Sequence, residues 1–289
     1  MFRLNILGLN GFFKGPLVLS ALISLSLLLG LYSLPLMAQP NETLELGRQA
    51  ATNEPPQGES SPSLKVTLGA GLVSHPEIEG SDKYEVTPIP VIELSYDRIF
   101  LSLSKGLGVK VIDNGDWTIA PSIRYWGGRD EDDSDLLRGM GDIDESAALG
   151  AMISYHPGDL SIFLNAYHGL GEVEGLTAET GVAYSHRFIE RLRGTVQLST
   201  MFASQKYNQA FFGVSPKQAR NSGYRRYDAD SGFKHVALGA TVSYNLTTNI
   251  DLGVFGEYKG LTGPAADSPI VKEGSKNQVT SGVMVGFNF

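Results

Sequence analysis

The chain has 289 residues, 34 glycines, no cysteine and a formal charge of −8. That length suits one large domain, and the acidic balance argues against a basic nucleic-acid binder. The lack of cysteine excludes a disulfide scaffold and any thiolate-held zinc or iron centre.

At the N-terminus, Arg3 and Lys14 precede the apolar run "PLVLSALISLSLLLGLYSLPLMAQP". A charged region followed by a long apolar region is the layout of a secretory signal, with cleavage expected after Ala38. The run from Leu17 to Leu36 is nearly long enough to anchor in a bilayer, but no Lys or Arg stop-transfer cluster follows it. Residues 1–38 are therefore expected to be a removed signal peptide. Residues 39–63, poor in aromatics and rich in Pro, Ser and Glu, read as a disordered periplasmic leader. No second long apolar run exists, so the mature chain is expected to have no helical membrane span.

From Leu64 the pattern changes to period two. In "LKVTLGAGLV" the apolar phase is Leu64, Val66, Leu68, Ala70 and Leu72, with small or polar residues between. The alternation returns in "SAALGAMISY" and "HVALGATVSY". Strands in soluble proteins average about five or six residues; these run to about ten, the length a tilted strand needs to cross a bilayer. Tyr96, Tyr155, Tyr184, Tyr244 and the terminal Phe289 each close an outward-facing row, as an interfacial aromatic girdle requires. Residues 64–289 are thus expected to form an all-β, transmembrane antiparallel up-and-down barrel of about twelve strands. The spans are 64–73, 87–97, 98–104, 107–113, 118–126, 146–156, 160–169, 177–188, 194–204, 234–246, 250–261 and 277–289. The third and fourth keep one unbroken phase; a turn at Ser104-Lys105-Gly106 with a left-handed glycine splits them, and an even strand count favours the split.

Connections after even strands are short ("DNGD", "HPGD", "TTN"); most after odd strands are long (74–86, 127–145, 205–233, 262–276). Outer-membrane barrels place short turns in the periplasm and long loops outside. The densest charge run, "GRDEDDSDLLRGMGDIDE" (128–145), carries eight carboxylates and two arginines, and so is expected to be extracellular. It reads mainly as a solvated surface loop in which Arg129 and Arg138 pair with nearby acids. The minority reading is a surface calcium site using Asp130, Asp132, Asp133, Asp142 and Asp144, although the EF-hand order of ligands is missing. In "FFGVSPKQARNSGYRRYDADSG", Ser215-Pro216 and Gln218 form a helix start with a capping box, and Gly223 ends that helix. Phe211, Phe212, Tyr224 and Tyr227 would give this loop a small core or plug the barrel mouth. Arg220, Arg225 and Arg226 would otherwise grip lipopolysaccharide phosphates.

His75, His156, His168, His186 and His235 are dispersed, and no Gly-x-Ser-x-Gly, phosphate-loop or His-Glu-x-x-His motif is present. No catalytic residue, resident metal or cofactor is expected, and the chain reads as non-enzymatic. Inward-phase Lys65, Glu93, Lys110, Arg124, Glu179, Asp251 and Glu257 would pair across a narrow lumen and close it; a conducting lumen is the rival reading.

The segments "GRDEDDSDLLRGMGDIDE", "FFGVSPKQARNSGYRRYDADSGF", "PAADSPIV" and "GVMVGFNF" resemble the MltA-interacting protein / OmpV (MipA/OmpV) family of Gram-negative outer-membrane proteins, from about Leu68 to Phe289. The chain departs from the family pattern at Ile78, where an aromatic is expected, at Phe202-Ala203 in place of Trp-Ala, and at Pro264 in place of an acid. The resemblance implies a barrel in the cell outer membrane that acts as a structural scaffold for murein-synthesising and murein-hydrolysing enzymes. Alternatives are an adhesin, an osmotically regulated outer-membrane protein, or a narrow channel for small solutes. Expected partners are outer-membrane lipid, lipopolysaccharide, periplasmic murein enzymes, and the barrel-assembly machinery reading Phe287 and Phe289 as its signal; no nucleic acid is expected.

Overall fold

The computed structural model describes residues 63–289. The expected signal peptide and all but the last residue of the expected leader lie outside the described residues. Among the described residues thirteen strands are formed: β1 (Leu64–Pro76), β2 (Tyr84–Tyr96), β3 (Ile99–Ser102), β4 (Gly106–Val109), β5 (Ile112–Asp113), β6 (Trp117–Trp126), β7 (Ser146–Tyr155), β8 (Leu160–Gly169), β9 (Leu176–Ile189), β10 (Leu192–Ala203), β11 (Gly232–Asn245), β12 (Ile250–Leu261) and β13 (Asn277–Asn288). Each pairs antiparallel with its neighbour, β1 joins β13, and both β4 and β5 pair with β6. β4 and β5 are two pieces of one wall strand interrupted at Lys110 and Val111, where the Val111 N–H still donates to the Ile119 carbonyl at 2.8 Å. The result is a closed twelve-stranded transmembrane barrel.

The alternation has a direct cause in the surroundings. Leu64, Leu68, Leu72, Val196, Leu198, Leu238, Val242, Val254 and Val283 are exposed on the outer face, while Thr67, Val73, Thr195, Ser199, Thr241 and Phe255 are buried inside. A belt of that kind would aggregate in water, whereas acyl chains solvate it. Among the described residues no helix is long and apolar enough to cross a membrane, so the strands do the crossing.

Tight turns close the end at which both termini of the barrel lie. Gly115 and Gly158 take positive φ in the β5–β6 and β7–β8 turns. Gly106, at φ +74°, separates β3 from β4, as the expected split requires. Two corrections concern these strands: the expected fourth strand, 107–113, is broken in the middle, and neither β3 nor β4 reaches the ten residues expected of a full crossing.

Inside the wall, Val73, Ile89, Val91, Phe255 and Met284 form an apolar cluster on β1, β2, β12 and β13. It fits because neighbouring glycines leave space: a Cβ on Gly282 would stand 2.6 Å from the Phe255 ring, and one on Gly71 2.9 Å from Met284 Cγ. Expected lumen charges do face inward. Asp251 accepts from Asn245 Nδ2 at 2.5 Å and Asn288 Nδ2 at 2.6 Å, and Arg124 stacks 3.9 Å above the Tyr167 ring. Lys110 instead pairs with Asp113, 3.0 Å away beside the strand interruption.

Candidate functional site

The long connections 77–83, 127–145, 204–231 and 262–276 do not spread into solvent. They fold into a cap over one mouth of the barrel. The third of them carries two helices, α1 (Gln205–Phe212) and α2 (Pro216–Ser222), and the last carries α3 (Gly263–Asp267) and α4 (Pro269–Glu273). α2 starts where expected: the Ser215 hydroxyl accepts from the Gln218 N–H, Gln218 Oε1 accepts from the Ser215 N–H at 2.8 Å, and Gly223 ends the helix at φ +82°.

Two cores hold the cap. The lower one joins wall to loops: Trp126, Ala148, Tyr167, Ala203 and Leu261 from the strands meet Tyr207, Phe211 and Phe212 from α1, with Ala265 and Val271. Trp126 stacks on Tyr207 with ring centroids 5.4 Å apart. The upper one is made by the loops alone: Ile78, Leu137, Met140, Val214 and Ile270, with Tyr224 and Tyr227 packed against it. All four aromatics assigned to this loop from sequence therefore pack in the cap. Ile78, the departure from an expected aromatic, keeps the apolar character that its place requires.

Between cap and lumen lies a buried ionic cluster that sequence reasoning missed in part. Glu79, from the first long loop, reaches down so that Lys234 Nζ donates to its Oε2 at 3.1 Å; both side chains are at most 6% exposed. Lys259 stands 4.0 Å from Glu79 and 3.8 Å from Glu257. Lys234 reaches the lumen through a β-bulge at which Met201 faces His235 and Phe202 faces Phe233. A signal was present: Phe233 and Val236, both outward and apolar, are three residues apart, which requires one extra residue in the strand.

The acidic stretch forms an ordered ring rather than a cation cage. Arg129 and Ile143 bond backbone to backbone in both directions at 2.9 and 2.7 Å. Within that ring, Asp133 Oδ2 accepts from the Asp130 N–H, Asp142 Oδ1 from the Glu131 N–H, and Glu131 Oε2 from the N–H groups of Gly139 and Gly141. Asp135 pairs with Lys83 at 2.7 Å and Arg138 at 2.6 Å; these hydrogen-bonded cations hold its carboxyl below the usual range. Asp130 is pushed up, by burial and then by its acidic neighbours. Asp130, Asp132, Asp133, Asp142 and Asp144 share the loop, but among the described residues no group of three or more acids or histidines is placed to hold a metal ion.

Arg129 differs from the surface pairing expected of it. It is buried, and its Nη1 donates to the Phe211 carbonyl at 2.7 Å, tying the acidic loop to α1. Burial pushes its guanidinium down to about 10, opposed by Asp133 and Asp142. Gln218 Nε2 donates to the Met140 carbonyl at 2.7 Å, a second tie between the acidic loop and α2. Of the three arginines considered for phosphate binding, Arg226 is taken up by Asp228 at 2.8 Å.

The opposite mouth is the end at which the short turns and both ends of the barrel chain lie. Tyr96, Tyr184, Tyr244 and Phe287 are exposed on the outer wall, Tyr155 stacks on Trp117 at 4.7 Å, and Phe289 ends the chain with its N–H on the Val66 carbonyl at 2.9 Å. His186 lies beside Tyr184 in this row, with Nδ1 3.4 Å from Asp159. A second outward row at the cap end, Tyr84, Tyr125, Phe233 and Tyr258, was not singled out from sequence, though Tyr84, Tyr125 and Tyr258 stand on the outward phase of their strands; the bulge in β11 shifts Phe233 off that phase.

The family model for "MltA-interacting protein MipA" matches residues 68–289. The MltA-interacting proteins of Escherichia coli (strain K12) and Shigella flexneri are each 26% identical over 237 residues, covering 77% of this chain and 90% of theirs. Among solved structures, the NanC porin is similar at 11% identity and TM-score 0.41, covering 78% of this chain and 99% of its own. The KdgM porin is similar at 10% identity and TM-score 0.39, with 78% and 99% covered. With its match running from within β1 to the last residue, through wall and cap together, the chain belongs to the MltA-interacting protein MipA family.

Proposed function

We propose that this chain is a structural barrel of the cell outer membrane that holds periplasmic murein-hydrolysing and murein-synthesising enzymes. The observation that carries the reading is the cap: wall residues and α1 share one continuous core across the mouth, so the fold favours a platform over a conduit. The name of the Escherichia coli relative, an interacting protein, supports the same direction. In this reading the cap faces outward, and the short turns and leader 39–63 face the periplasm, where a murein enzyme can reach them. The two aromatic rows mark the two lipid interfaces, with Tyr96, Tyr155, Tyr184, Tyr244 and Phe289 on the periplasmic side. Phe287 and Phe289 serve the barrel-assembly machinery.

Capture of purified murein hydrolases by the full mature chain in lipid vesicles tests this. Wild-type protein should retain such an enzyme, and a chain lacking residues 39–62 should retain less while keeping its heat-modifiable gel shift. Undiminished capture without the leader would remove the leader from the interface. Large single-channel conductance of the full mature chain in planar bilayers would defeat the structural reading in favour of transport.

A further inference from the structure

At the short-turn mouth, the β9–β10 hairpin separates charge from apolar surface. A β-bulge sets Leu192 opposite Ile189 on one phase and Arg193 opposite Arg187 on the other. The arginine phase is the inner one: the next pair along it, Ser185 and Thr195, bonds hydroxyl to hydroxyl at 2.9 Å, with Thr195 buried inside the wall. Outward lie the rings. His186 stacks on Tyr184 at 6.3 Å and meets Phe188 edge-on at 5.2 Å, and Phe188 folds over Gly194, where an added Cβ would stand 2.8 Å from its ring. The lipid side of the hairpin is thus taken up by exposed Tyr184, Phe188 and Ile189, and both guanidinium groups are rooted on the side that faces the mouth of the lumen.

Two like charges directly opposite one another destabilise a ladder, and an anion held between them relieves that repulsion. Among the described residues, neither the Arg187 nor the Arg193 side chain forms an ion pair or a hydrogen bond. The acids of the neighbouring turns are engaged elsewhere. Asp159, whose charge reaches Arg193, lies 3.4 Å from His186 Nδ1, and Asp251 accepts from Asn245 and Asn288. Glu190, at the hairpin tip, is followed by exposed Arg191, so the end of the hairpin stays net positive. Arg187 is exposed and Arg193 half-buried, so both can be reached from the mouth. Arginine forks match carboxylates. An extended peptide with carboxylates at alternate positions sets them on one side about 7 Å apart, a span that two long side chains rooted about 5 Å apart can meet. A lipid headgroup is poorly placed for the same pair, because the aromatic side of the hairpin stands between them.

We propose that Arg187 and Arg193 bind the carboxylates of an acidic, extended peptide segment presented at the short-turn mouth. Resting on the orientation proposed above, this site meets its partner in the periplasm. Nanodiscs leave both mouths open, so the folded mature chain in zwitterionic nanodiscs can be titrated with a fluorescein-labelled peptide of alternating Glu and Ser, followed by anisotropy. Wild type should bind it, less tightly as salt is added, and should not bind the counterpart with Gln in place of Glu. Arg187→Glu should weaken binding roughly tenfold or more, and Arg187→Lys and Arg193→Gln by less. Arg220→Glu, at an exposed position of α2, should leave it unchanged. Retained heat-modifiability shows that each variant is folded. Equal binding of the Gln peptide, undiminished binding by Arg187→Glu, or an equal loss with Arg220→Glu would overturn the proposal. So would binding seen only once residues 39–62 are removed, which would make the chain's own leader the occupant, or binding abolished by phosphatidylglycerol in the disc, which would give the pair to lipid headgroups. No murein enzyme takes part in the titration, so this site and the proposed capture can fail separately.

Discussion

Arg129 shows how one side chain organises a loop that its own charge pattern misdescribes. In a run of eight carboxylates an arginine reads as a surface counter-ion, yet it is buried and bonds a carbonyl of α1 82 residues away in sequence. Its folded value near 10 lies below the ordinary guanidinium range, so the sign is unfavourable: the buried charge costs stability at every pH below about 10. That cost is relieved only as the pH climbs from there through the unfolded value. The geometry, rather than the charge, is what holds the loop. Arg129→Ala should leave the Phe211 carbonyl unpaired and a void beside it, loosening the cap by about 2–3 kcal/mol. Arg129→Met, which keeps the bulk and removes the charge, should cost less. Hydrogen exchange at the Ile143 and Val214 amides measures both; equal losses in the two variants would show that the charge itself is required.

Among the elements, the β3–β4 hairpin is the most sensitive to a single atom. Gly106 takes φ +74°, and a Cβ there would stand 2.0 Å from the Ile123 carbonyl oxygen of β6. Gly115, at φ +89°, has nothing within 4 Å of the same added atom. Gly115→Ala should therefore cost only the backbone strain of about 1 kcal/mol, and Gly106→Ala clearly more, because the hairpin must also move off β6. The fraction of heat-modifiable protein after refolding into vesicles reads the difference, and equal yields would refute it. The turn glycine itself was legible in the sequence, as were the spans of most strands, because lipid outside and packed interior inside force alternation on every crossing strand. The shortness of β3 and β4 was not legible: "RIFLSLSKGLGVKVI" keeps its phase whether or not a neighbour continues beside it. Alternation reports which face a residue takes, and is silent on how far the ladder runs. The cap was half legible for a similar reason. The α2 capping box is local chemistry and was read from four residues, whereas the Glu79–Lys234 pair joins positions 155 apart in sequence and leaves no local pattern.

On the scale of the whole molecule, wall and cap are held by different forces, and their stabilities should separate. The wall is a closed set of backbone ladders with lipid outside, so its disruption exposes amides to hydrocarbon and is strongly opposed. The upper cap core is an ordinary loop-built cluster of five buried residues, with the partly buried Leu136, Ala219, Tyr224 and Tyr227 packed against it. Leu137, wholly buried in that core, comes from the acidic loop, with Met140 three residues on. Leu137→Ala should remove about 2–5 kcal/mol of packing from the cap. Since none of the five is a wall strand residue, that loss should stay in the cap. Amides such as those of Val214 and Ile143 should exchange faster, while wall amides of β10 and β11 and the heat-modifiable gel shift stay as they were. A fall in both together would mean that the cap is required to close the barrel, and the shared Trp126–Tyr207 stack beneath it is where that coupling would pass. Separate losses would instead leave the cap free to change its loops over a wall that lipid holds fixed.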